Sequence, residues 1–135
     1  MPTTRVNPEN LVGITGRAHV VILDRVMKLA FVSGQVAMNS EGLLVGKGDF
    51  EIQTRQVFNN LLVIMREIGA TLDDVVKLTA YSTVPDKIQT YLRVRNEFVS
   101  KKNPPASTFV GVSALASPDF LIEIEMIVVL DKGKR

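Results

Sequence analysis

Phe120-Leu121-Ile122-Glu123-Ile124-Glu125-Met126-Ile127-Val128-Val129-Leu130, near the carboxyl end, decides how the rest of the chain is read. Side chains alternate across a strand. Phe120, Ile122, Ile124, Met126, Val128 and Leu130 therefore share one wholly apolar face, and Leu121, Glu123, Glu125, Ile127 and Val129 share the other. The first face needs a hydrophobic cover, and two helical patterns upstream can supply it.

The first pattern runs from Phe50 to Ile68, where Thr54, Val57, Phe58, Leu61, Leu62, Met65 and Ile68 recur at helical spacing. Asp49 is placed to cap its start and Gly69 its end. The second begins at Asp86, read as its cap, carries the stripe Ile88, Tyr91, Leu92, Phe98 and Val99, and stops at Pro104-Pro105. Further strands are expected at Ala18–Leu23, Leu29–Ala37, Val75–Val84 and Thr108–Ala114. The polar break Asp24-Arg25 suggests that the first two form a hairpin. This order predicts an α+β fold over residues 1–135 as a single domain, a mixed β-sheet with two helices packed on one face. The other face is left uncovered. With Leu121, Ile127 and Val129 on it, it is expected to pack against further copies in a homo-oligomer.

Composition narrows the chemistry. The chain has 135 residues, 46% hydrophobic, with no cysteine and one histidine. Disulfides, thiolate catalysis, sulfur-based zinc sites and a multi-histidine metal site within one chain are excluded. The net charge is +2, and the basic residues are spread out apart from Lys101-Lys102 and the tail Lys132, Lys134, Arg135, so no nucleic-acid surface is expected. Phe120–Leu130 is too short and too charged to span a membrane. Met1–Asn10 has no leader pattern, which predicts a cytoplasmic protein. Gly42-Leu43-Leu44-Val45-Gly46-Lys47-Gly48 looks like a phosphate loop but has one residue too few between glycines and Gly48 where Ser or Thr belongs, so it reads as a turn-rich loop. His19 has no carboxylate or hydroxyl nearby in sequence and reads as a strand residue.

Glu123 and Glu125 stand out. Two residues apart on one strand, they sit about 7 Å apart on the same face. If that face becomes an interface, partial desolvation would raise a carboxylate's pKa and suit it to acid or base work. If it stays open, both simply point into water.

Pro105-Ala106-Ser107-Thr108-Phe109-Val110-Gly111-Val112-Ser113-Ala114-Leu115, followed by Ile122-Glu123-Ile124-Glu125, resembles the signature of the RidA/YjgF family. Phe31-Val32-Ser33-Gly34-Gln35-Val36 is similar to that family's Ser-Gly-Gln strand, and Gly16-Arg17-Ala18-His19-Val20-Val21 to its Gly-Tyr-Ser-His-Ala-Val segment. The resemblance implies a chorismate-mutase-like fold, a homotrimer with a small-molecule cleft between subunits, no metal and no cofactor. It also implies hydrolysis of reactive imines and enamines to 2-oxo acids and ammonia. In that scheme an arginine clamps the substrate carboxylate, strand amides hold the imine and water, and the first glutamate of Glu-Ile-Glu moves protons.

Carried across, Glu123 is the catalytic acid or base, and Ser33, Gly34, Ser107 and Phe109, the last through its backbone N–H, bind substrate. Ser107 stands where the clamp arginine belongs. A serine has no fixed fork of donors to match a carboxylate. A charge-assisted hydrogen bond is worth roughly 1.5–3 kcal/mol, so its loss weakens 2-imino acid binding by about tenfold to a few hundredfold. Arg17, at the family's tyrosine, is the candidate for returning a positive charge to the cleft from another wall. Two functions compete: a divergent imine or enamine hydrolase with weak or no 2-iminopropanoate deaminase activity, and a non-enzymatic trimer that binds a metabolite or a partner. Ribonuclease activity, also attributed to such proteins, ranks last, because paired histidines and a basic groove are missing.

Overall fold

The computed structural model describes residues 3–11, 16–25 and 28–130. In chain order it contains β1 (Thr3–Val6), β2 (Val20–Leu23), β3 (Leu29–Gln35), α1 (Phe50–Glu67), β4 (Val75–Ser82), α2 (Ile88–Phe98), β5 (Ala106–Gly111) and β6 (Ile122–Val129). The last strand is interior, as its two-sided apolar pattern requires: the four-stranded sheet runs β3-β6-β4-β5, with only β4 and β5 parallel. Ile122, Ile124, Met126 and Val128 of β6 are buried in one core with Leu78 and Ala80 of β4, Val57, Phe58, Leu61 and Met65 of α1, and Tyr91 and Val94 of α2. The expected α+β architecture, with both helices on one face of a mixed sheet, is what the chain adopts.

Local signals explain most element ends. The Asp49 carboxylate accepts from the Ile52 N–H at 3.0 Å and caps α1, while Gly69, at φ +72°, lets the chain turn out of the helix. Asp86 does not cap α2. It lies inside a 3₁₀ turn, Pro85–Lys87, that leads into the helix, because Pro85 presets the first turn one step earlier. Strand β5 starts earlier and ends sooner than its apolar run suggested, at Ala106 and Gly111.

The hairpin expected between β2 and β3 does not form. β2 pairs antiparallel with β1, and β3 pairs with β6 far along the chain. The expectation that nothing in the chain covers the open face also needs correcting at one end. Val76 and Val129 are buried, and Thr3 and Arg5 of β1 line the same depression as these two residues. Arg5 is fastened there by its Nε and Nη2, which donate to the carbonyls of Pro104 and Asn103 at 2.9 and 3.3 Å. The rest of that face stays open, with Phe31 at 74% exposure beside the half-buried Ile127. The basic tail at 132–135 lies outside the described residues.

Candidate functional site

Ser107 and Phe109 project from β5 towards the helices, since they pair with the core residues Leu78 and Ala80 of β4. β5 is a sheet edge, so alternate amides face away from β4. The Val112 N–H donates inward to the Ser82 carbonyl at 2.9 Å, whereas the Pro105 carbonyl accepts from the Ala18 N–H on the outer side at 2.8 Å. By the two-residue period, the N–H groups of Ser107 and Phe109 point outward with Pro105. The Ala18 bond and its bridge to Ala106 also bring the neighbouring Arg17 beside the start of β5. Arg17, Ser107 and Phe109 thus share one cavity of about 760 Å³.

The opposite wall of that cavity is α2. Arg95, buried to 3% exposure, lines it with Asn96, and its Nε and Nη2 donate to Asn96 Oδ1 at 3.1 and 3.0 Å. Its guanidinium carbon lies 5.9 Å from the centroid of the Tyr91 ring, which in turn packs against Phe109 at 4.9 Å. Burial and the nearby charge of Arg17 both lower the Arg95 pKa. The fully buried Tyr91 hydroxyl makes no well-formed hydrogen bond, although Ser107 and Arg95 are its polar neighbours, and burial pushes its pKa up to about 12.

Glu123, Gly34 and Ser33 lie elsewhere. The pairing of β3 with β6 slips between Val32 and Gln35, so Ser33 and Gly34 sit at an irregularity of the kind that re-aims side chains. Gly34 lies directly against the Glu123 carboxylate and leaves no space for a Cβ. Ser33 lines a second cavity, of about 290 Å³, with Phe31, Lys77, Thr79 and Glu125. Glu123 is half-buried opposite Tyr81, and Glu125 is exposed and accepts from the Tyr81 hydroxyl at 3.0 Å, which raises the Tyr81 pKa. The two glutamates thus have different surroundings. His19 joins neither cavity, and its backbone N–H donates to Asn7 Oδ1 at 2.8 Å.

The residue patterns can now be set beside known proteins. The family model for endoribonuclease L-PSP matches residues 17–130. The chain belongs to this family. A relative described as RutC family protein YjgH of Escherichia coli K12 is 37% identical over 97 residues, covering 71% of this chain and 72% of that one. A 2-iminobutanoate/2-iminopropanoate deaminase of Dermatophagoides farinae is 31% identical over 101 residues, covering 75% and 77%. A crystal structure of YyfB of Yersinia pestis, a protein of the conserved Rid family, superposes with a TM-score of 0.89 at 36% identity, covering 96% of this chain and all of that one. The RidA/YjgF resemblance therefore holds at the level of family and fold.

Within this L-PSP family domain, the nominated residues form two groups. Arg17, Ser107 and Phe109 meet in the cavity at the β5 edge, and Gly34 meets Glu123 on the open face with Ser33 beside it. Sequence reading missed Arg95, Asn96 and Lys77. The signal for Arg95 was present, since it stands four residues after Tyr91 on the buried stripe of α2, where a long charged residue needs a reason. Among the described residues no group of three or more His, Cys, Asp or Glu is arranged to hold a metal ion. Nor is any described helix long and apolar enough to cross a membrane.

Proposed function

We propose that the chain assembles as a homotrimer and hydrolyses imines, enamines or related small carbonyl compounds in a cleft between neighbouring copies, without metal or cofactor. The observation that supports this reading is the split of the site. One group of candidate residues lies at the β5 edge, the other lies on the open face beside the exposed Phe31, and packing open faces together is what would join them. The deaminase relative supports the reaction type.

In the proposed reaction, water adds to the imine carbon while Glu123 accepts a water proton and passes it to the nitrogen. Glu123 then takes the hydroxyl proton of the tetrahedral adduct and delivers it to the nitrogen, the C–N bond breaks, ammonia leaves and a carbonyl remains. The outward N–H of Phe109 and the Ser33-Gly34 segment would hold the reacting atoms. Ser107 cannot clamp a carboxylate as an arginine would, so turnover of 2-iminopropanoate is expected to be weak.

The test supplies 2-iminopropanoate and 2-iminobutanoate from a dehydratase and times 2-oxo acid release beside a relative carrying arginine at the position of Ser107. A slow reaction that Glu123→Gln removes supports the reading. A rate equal to the relative's would refute the role given to Ser107, and release at the uncatalysed rate for every imine tried would refute the hydrolase. Binding without turnover would favour a metabolite-binding trimer.

A further inference from the structure

The corner where Glu123 meets Gly34 sits at a break in the β3–β6 ladder. Pairing runs as far as Val32 with Met126 and resumes at Gln35 with Ile124, so Ser33 and Gly34 together face Glu125 alone. A ladder that slips at this point does not hold its own register. What fixes the two strands relative to each other comes from outside the sheet, from three amide side chains of α1. Gln53, Gln56 and Asn60 recur at spacings of three and four, on a stripe beside the apolar one.

The Gln53 side chain is fully buried and uses its whole amide. Its Nε2 donates to the carbonyls of Gly46 at 3.1 Å and Asp119 at 2.9 Å, and its Oε1 accepts from the Leu121 N–H at 2.9 Å. A flipped amide would set its oxygen against two carbonyls, so only one orientation works. Leu121 stands two residues before Glu123, at the entry to β6, and its carbonyl accepts from the buried Ser82 hydroxyl at 2.9 Å. On the β3 side, Asn60 Nδ2 donates to the carbonyls of Val36 and Met38 at 3.1 and 2.9 Å. Gln56 Nε2 donates to Asn60 Oδ1 at 2.8 Å, which aims the Asn60 amide at that loop. Gly46, at φ +82°, brings the far end of the same loop so close to α1 that a Cβ would lie 2.6 Å from Ile52 Cγ2. The loop leaving β3 and the loop entering β6 are thus tied to one helix.

We propose that this amide stripe, with Gln53 as its main anchor, positions the Glu123 corner: α1 sets where the Glu123 carboxylate stands relative to Ser33 and Gly34. This rests on the reading of Glu123 as the proton-moving group and adds what holds it in place. None of the three amides lines the cavity at the β5 edge or the one beside Ser33, so they are positioning residues that act through Glu123. A displacement of about 1 Å in a proton-moving group costs up to about a hundredfold in rate. The stripe therefore acts on the chemical step and leaves substrate binding alone.

The test compares wild type with Gln53→Met, which keeps the length of the side chain and removes all three bonds, and with Asn60→Ala, which frees the β3 side alone. Thr54→Val is the control, since the Thr54 hydroxyl is equally buried on α1 but donates within the helix, to the Phe50 carbonyl at 2.8 Å. In the imine assay, kcat should fall by about tenfold to a hundredfold in Gln53→Met and by less in Asn60→Ala, with KM held within about twofold. Thr54→Val should keep the wild-type kcat. Carbon-13 NMR of the intact protein, labelled at the glutamate carboxyl carbons and with Glu123 assigned from Glu123→Gln, provides a readout that needs no turnover. The Glu123 signal should shift or split in Gln53→Met and Asn60→Ala and stay in place in Thr54→Val. An unmoved Glu123 signal in folded Gln53→Met overturns the proposal, as does one in Asn60→Ala where melting shows that position 53 tolerates no change. Equal effects in Thr54→Val would reduce the stripe to a contribution to helix stability and overturn it as well. Should wild type turn over no imine, the hydrolase reading falls, and the NMR comparison alone decides the positioning.

Discussion

The two faces of the four-stranded sheet are nearly opposite in character, although both are built from the same strands. On the helix side, Phe58 is fully buried between Tyr91 at 6.5 Å and Phe98 at 4.9 Å, ring centroid to centroid. On the open side Phe31, equally apolar, is 74% exposed. The difference shows which face the single chain completes. Phe58→Ala should cost about 3–5 kcal/mol by urea unfolding, because the cavity it leaves cannot collapse. Phe31→Ser should change the stability of the isolated chain by under about 0.5 kcal/mol. In sedimentation it should weaken the assembly. Phe31→Ser sedimenting with the wild-type mass at micromolar concentration would separate the open face from oligomerisation.

The helix side was also the more legible side in the sequence. Alternation along β6 and the stripe of α1 each report a local period, so Ile122, Ile124, Phe58 and Leu61 could be placed from neighbours a few residues away. The β2–β3 hairpin was misread because strand pairing depends on distant partners. Nothing within Leu29–Gln35 names Ile127 or Val129 as its neighbours. β1 went unseen because Thr3-Thr4-Arg5-Val6 is short and polar, and it is held by Arg5 bonding to carbonyls about a hundred positions away. Of the site, Glu123 stood out with Glu125 from the alternation along β6, Gly34 was named from the family resemblance, and their mutual contact follows from a register slip that no local pattern encodes. Arg95 was passed over because a charged residue on a buried stripe reads as an interruption until the facing strand is known.

The cavity at the β5 edge and the Glu123 corner can be separated by two glycines. Gly16, at φ +81°, lies against Arg95 and Asn96, so Gly16→Ala meets both left-handed backbone strain and a side-chain clash. A loss of about 1–3 kcal/mol in urea unfolding is expected. Gly34→Ala clashes with the end of the flexible Glu123 side chain, which can swing aside. Its cost in stability should stay under about 1 kcal/mol, whereas the imine reaction should slow at least tenfold. Equal losses of stability in the two variants would mean that the Glu123 side chain cannot swing aside.

The smallest effect concerns two arginines of α2 that lie two positions apart. Arg95 turns inward, but Arg93 stays outside and joins Glu51, Arg55 and Glu97 in a network across the exposed sides of α1 and α2. Hydrogen bonds from Arg93 and Arg55 hold the Glu51 pKa down from its ordinary 4.5 to about 2, and Arg55 lowers that of Glu97. A depressed carboxylate pKa stabilises the fold above the unfolded value, and that contribution fades as pH falls through the folded value. Melting temperatures of wild type and Glu51→Gln should therefore differ slightly near pH 6 and converge between pH 4.5 and about 2. The gap near pH 6 should also shrink in 1 M salt, because the pairs are exposed. A gap that persists unchanged to pH 2 would show that Glu51 acts through packing rather than through its charge.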